Sequence, residues 1–149
     1  MEAIINTPAT TTYLKDYRPS AFLIPEIVLD IDFRSEEDAR VEAWLSVTRN
    51  PDSEASTELA LDIDEVPVES VAIDGIAVAP VRWREDRRHL TVTGVPESFQ
   101  LVTVSRLNPR ANTKLMGIYT SGTGFFSLCE AEGFRRITPL LYRPDVMAR

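Results

Sequence analysis

The residues best suited to chemistry cluster near the end of this sequence, in Leu128-Cys129-Glu130-Ala131-Glu132-Gly133-Phe134-Arg135-Arg136. Glu130 and Glu132 stand two positions apart, a spacing that points both carboxylates to one side of a strand and Ala131 to the other. Paired in that way they could hold a cation or a protonated amine, or divide acid and base work between them. The plainer reading makes them solvated charges at a strand end, and the residues alone leave both open. Cys129 is the only cysteine and reads as a small buried apolar residue, since no partner base stands beside it. Arg135 and Arg136 read as surface charges pairing with the acids around them.

Other chemistries are excluded by what the chain lacks. His89 is the only histidine, set between Arg88 and Leu90 in a predicted strand. A catalytic zinc takes two or three histidines and a structural one several cysteines or histidines, so no metal site is expected within these residues. Ser-His-Asp and Cys-His nucleophiles would both have to use His89, which reads instead as an exposed strand residue. Gly122 and Gly124 form a bare G-x-G without the third glycine or the Lys-Ser/Thr of a phosphate loop. With 16 basic and 23 acidic residues the net charge is −7, and the pI near 4.8 argues against a nucleic-acid partner. No apolar run reaches the roughly 18 residues of a membrane span. Met1 to Asn6 lacks the basic and apolar regions of a signal peptide. A single cysteine with no signal segment points to a reducing, cytoplasmic setting.

These residues need a scaffold, and the pattern for one is clear. A length of 149 residues, 44% hydrophobic, suits one folded domain. Residues 1–20 are polar and read as an extended arm; residues 21–149 read as a β-sandwich domain. In Ile27 to Phe33 every odd position is apolar while Asp30 and Asp32 face away, and Val41, Ala43, Leu45 and Val47 repeat the alternation. Leu59, Leu61 and Ile63 give a third strand. Asp74-Gly75 predicts a two-residue hairpin turn, with Ile76 to Trp83 returning and Pro80 marking an edge or a break. Leu90 to Thr93 and Phe99 to Val104 complete at least seven short strands with no helical period between them. That pattern predicts an all-β fold, an antiparallel β-sandwich. Trp44 and Trp83 also raise a carbohydrate-binding platform as a minor alternative. The last residues behave differently: Ile137, Leu140, Leu141, Val146 and Met147 are expected to lack a packing partner within the chain.

The segment Cys129 to Thr138, followed by Arg143-Pro144-Asp145-Val146-Met147-Ala148-Arg149, resembles the end of the N-terminal domain of the bacterial aminopeptidase N family, which comprises zinc-dependent, gluzincin-type aminopeptidases. Tyr13 to Arg18, Asn108 to Thr113 and Gly117 to Gly122 resemble it too, in order along the chain. The resemblance implies a saddle-like β-sandwich and an enzyme that hydrolyses N-terminal residues from peptides. It implies that Glu130 helps hold the free α-amine of the peptide substrate, and that Leu128 lines the first specificity pocket where the family commonly has glutamine. The Gly-x-Met-Glu-Asn and His-Glu-x-x-His motifs of the family are absent. Zinc and catalysis are therefore expected from a downstream catalytic domain, with no catalytic or metal-binding residue in this chain. The alternative is a stand-alone β-sandwich that binds or regulates without catalysis.

Overall fold

The computed structural model describes residues 13–149. A 3₁₀ turn at Leu14–Asp16 leads into ten strands. These are β1 (Phe22–Ser35), β2 (Asp38–Arg49), β3 (Glu58–Asp62), β4 (Val68–Ile73), β5 (Ile76–Ala77), β6 (Trp83–Glu85), β7 (His89–Thr93), β8 (Ser98–Leu107), β9 (Gly117–Ser121) and β10 (Gly124–Leu128). One sheet runs in the order β1-β2-β8-β4-β5 and a second in the order β3-β7-β6; β9 and β10 form a separate ribbon. All the pairings are antiparallel. The all-β sandwich is the fold that the alternation predicts.

The core lies between the two main sheets. Val41, Ala43, Leu45 and Val47 of β2 and Leu101 of β8 meet Leu59 and Leu61 of β3 and Leu90 and Val92 of β7, and all are buried. Burying a leucine or valine side chain contributes about 1.5–3 kcal/mol, so this face drives the assembly. The Asp74-Gly75 turn behaves as its residues require: Ile73 pairs with Ile76, and φ is +50° at Asp74 and +78° at Gly75. Only Ile76 and Ala77 return as strand, because Pro80 opens a 3₁₀ turn through Arg82 and the chain crosses to the other sheet as β6. Trp83 packs against the core while Trp44 lies half-buried on the opposite sheet, so the two indoles do not share a platform.

Ile27, Leu29 and Ile31 alternate as predicted and are half-buried, on the edge strand β1. Two expectations are corrected. Ile137 and Leu141 do not lack a partner: they join the core, at 4% and 9% exposure, where Asp62 bridges Leu140 through paired backbone hydrogen bonds. Of the five C-terminal apolar residues only Met147 stands in solvent. Arg136 is not a surface charge; its side chain is 8% exposed.

Candidate functional site at the end of the β9–β10 ribbon

The ribbon sets the position of every candidate residue. Opposed residues in an antiparallel pair share a face, so Phe126 and Tyr119 stack at 5.9 Å between centroids on one side. On the other, Phe125 meets Phe33 of β1 at 4.5 Å, which ties the ribbon to the main sheet. Leu128 ends β10 opposite Gly117, and its side chain stays half in solvent. Cys129 follows, half-buried, and burial pushes its thiol pKa up.

Glu130 and Glu132 do not lie on a strand. Residues 130–133 form a turn, closed by the Gly133 amide donating to the Cys129 carbonyl at 2.7 Å, and the Glu130–Ala131 peptide bond is cis. The turn needs glycine at 133: a Cβ there would stand 2.3 Å from the Leu128 carbonyl oxygen and 2.9 Å from the Cys129 Cα. The shared side of a strand is thus lost, and the two carboxylates part company. Glu132 is taken by Arg135, whose guanidinium also lies 5.9 Å from the centre of the Tyr142 ring. Glu130 is exposed and has no ion pair or side-chain hydrogen bond among the described residues.

A 3₁₀ turn at Phe134–Arg136 anchors the far end. Arg136 Nη1 donates to Asp64 Oδ2 at 2.6 Å and Nη2 to Glu65 Oε2 at 2.9 Å, while Lys114 donates to Glu65 Oε1 at 2.9 Å. These bonds hold the Glu65 carboxyl below the usual carboxylate range, Lys114 first and Arg136 next. The Tyr142 hydroxyl donates to the Ala131 carbonyl and fixes the turn from the other side. Glu130 and Leu128 are therefore presented together at one exposed corner. The sequence reading missed Gly133, Asp64, Glu65 and Lys114 as the groups that build that corner.

The described residues hold no group of three His, Cys, Asp or Glu side chains able to bind a metal ion. His89 lies 3.8 Å from Asp62 and 3.7 Å from Asp86, a two-carboxylate contact at an exposed strand start. The described residues do not fit a zinc centre. None of the described helices is long and apolar enough to cross a membrane.

No family model matches the chain. Solved structures share its fold. Legionella pneumophila aminopeptidase A, in complex with aspartic acid, superposes with a TM-score of 0.83 at 25% identity, over 92% of this chain and 16% of that one. An M1 zinc metallopeptidase of Deinococcus radiodurans, bound to a Tyr-Ser-Ala substrate, shares the fold at a TM-score of 0.69 and 19% identity, over 88% of this chain and 32% of that one. The fold matches the N-terminal domain of the M1 zinc aminopeptidases. The sequence is similar to bacterial Aminopeptidase N. It is 40% identical to that of Caulobacter vibrioides over 136 residues and 36% identical to that of Escherichia coli over 137, or 91% and 92% of this chain. It spans about 15% of the length of these two relatives.

Proposed function

We propose that this chain is the amine-recognising part of a zinc aminopeptidase that removes N-terminal residues from peptides. Glu130 holds the substrate α-ammonium, and Leu128 lines the space for the first side chain. The observation that carries this is the contrast within the turn: Glu132 is neutralised by Arg135, while Glu130 is presented in solvent without a partner. A fixed carboxylate at the end of a cleft selects a free amine and sets the register of cleavage one residue inward. Zinc and its ligands belong to residues outside this chain, in a catalytic domain that would face this corner. The names of the relatives support that reading. A stand-alone binding module is the weaker alternative, since nothing in the corner other than the free carboxylate recognises a ligand. We also propose a cytoplasmic setting, which the single cysteine supports.

A carboxylate about 4 Å from an ammonium gains roughly 4 kcal/mol at an effective dielectric near 20. Truncating one partner of such a desolvated pair costs about 2–5 kcal/mol. In a protein of the relatives' length, Glu130→Ala should lower kcat/KM by about 30-fold or more on peptides with a free α-amine. Glu132→Ala should change it several-fold at most. The reverse ranking would overturn the assignment.

A further inference from the structure

Positive charge without a paired carboxylate gathers on the hairpin that joins β6 to β7. The chain as a whole is acidic, with a net charge of −7. Most arginines elsewhere meet a carboxylate: Arg34 meets Asp32, Arg40 meets Glu42, Arg106 meets Asp38 and Arg136 meets Asp64. Arg82, Arg84, Arg87 and Arg88 are all exposed, and none of them has an ion pair among the described residues. Arg82 spends its guanidinium on the carbonyls of Thr93 and Gly94. The side chains of Arg84, Arg87 and Arg88 have no hydrogen-bond partner among those residues either.

The two acids of the hairpin face backbone instead. Asp86 accepts the amides of Arg88 and His89 at 2.7 and 2.8 Å, and Glu85 accepts the Val68 amide at 2.9 Å. Residues 82–89 thus carry four arginines against two carboxylates, a positive surplus on an acidic protein. Backbone bonds hold the tip in place: the Asp86 amide donates to the His89 carbonyl at 2.9 Å and the Ile63 amide to the Arg88 carbonyl at 2.8 Å. Arg87 and Arg88 line a cavity of about 420 Å³ whose other charged groups are engaged. Asp62 accepts the Tyr142 amide, Asp64 accepts from Arg136, Arg135 pairs with Glu132, and His89 lies between Asp62 and Asp86. The two arginines are the charges of that cavity left for a ligand.

We propose that this hairpin docks a short acidic stretch of polypeptide, whose carboxylates are taken by Arg84, Arg87 and Arg88. The guanidinium fork matches the two oxygens of a carboxylate, and a patch opposite in sign to its surroundings steers and selects such a partner. An extended peptide of six residues reaches about 20 Å, enough to pass Arg84 and the turn together. A nucleic acid fits less well. Its charges recur about every 1.7 Å of duplex and would run off this small patch onto acidic surface, whereas a run of Asp or Glu can end where the patch ends. The inference is independent of the role of Glu130.

Binding of a fluorescent, N-acetylated octaglutamate peptide to a protein of the relatives' length tests it; the acetyl group keeps an aminopeptidase from trimming the probe. Anisotropy should show saturable binding that weakens several-fold between about 20 and 150 mM salt, as the screening length falls from roughly 20 to 8 Å. Arg87→Gln combined with Arg88→Gln should cut the affinity about 10-fold or more, and Arg87→Lys with Arg88→Lys should lose less, since the charge stays and only the fork goes. These side chains are exposed, so the variants should keep the fold. Arg110→Gln, which removes a guanidinium paired with Glu36, should bind within about two-fold of wild type. No saturable binding by the wild type, or unchanged affinity in the double glutamine variant, would overturn the proposal. So would a single-stranded oligonucleotide of equal charge that binds as tightly through the same arginines, because the patch would then read phosphates as readily as carboxylates.

Discussion

Replacing Arg136 should show how the corner that presents Glu130 is held in place. Its guanidinium makes two charge-assisted hydrogen bonds, at 2.6 and 2.9 Å, to Asp64 and Glu65. Hydrogen bonds to charged groups contribute about 1.5–3 kcal/mol when both partners are buried. Here Arg136 is 8% exposed but Asp64 and Glu65 are 34% and 60% exposed, so the orphaned carboxylates regain water and about 1 kcal/mol per bond is a better figure. Alanine also removes two buried methylenes, at about 0.8 kcal/mol each. Arg136→Ala should therefore cost about 3.5 kcal/mol, and Arg136→Met, which keeps the packing, about 2 kcal/mol. In urea, with a slope near 2 kcal/mol/M, the midpoints should fall by about 1.7 and 1 M. Because the Glu65 pKa is lowered in the folded state, its contribution is complete above about pH 4.5 and is lost as pH falls below that. Wild type and the methionine variant should converge in acid. A loss under 0.5 kcal/mol for Arg136→Ala, or a wild-type-to-methionine gap that widens in acid, would refute this account.

Two further outcomes follow from the same corner and its surroundings. Gly133→Ala forces a Cβ against the Leu128 carbonyl; it should lower the melting temperature by several degrees and raise KM in a full-length enzyme, measured by thermal unfolding and steady-state kinetics. Asp145 accepts two bonds from Arg143 at 2.9 Å and one from the Tyr17 hydroxyl at 2.7 Å, and Arg143 above all holds its carboxyl far below the usual range. Its contribution is present above about pH 4 and disappears as pH falls through the lowered value, so Asp145→Asn should cost about 0.5–1 kcal/mol at pH 7 and nearly nothing at the acid end, read from urea midpoints at both pH values.

The strands of the core were legible because one face of each is buried. Val41, Ala43, Leu45 and Val47 can alternate only with that face inward, and Asp74-Gly75 can sit only where two residues in a row take positive φ. β10 is harder to read: Phe125-Phe126-Ser127-Leu128 belongs to a ribbon with both faces partly wet, which erases the period-2 signal. Glu130 and Leu128 could be picked out through a family resemblance. Their actual setting depends on contacts that local sequence does not encode. The partners of Arg136 lie 71 and 72 residues earlier, so nothing near it announces a buried cation. The role of Gly133 comes from a backbone approach inside the turn, invisible until the chain is folded back on itself.

Cys129 gives that turn a built-in gauge. Its carbonyl closes the loop that presents Glu130, while its thiol is half-buried and resists ionisation. A thiol reagent attacks the thiolate, so labelling should speed up when the turn opens and lets water in. The rate of modification at this one atom then reports on the state of the corner, in a protein whose melting curve reports only the far larger sandwich beneath it.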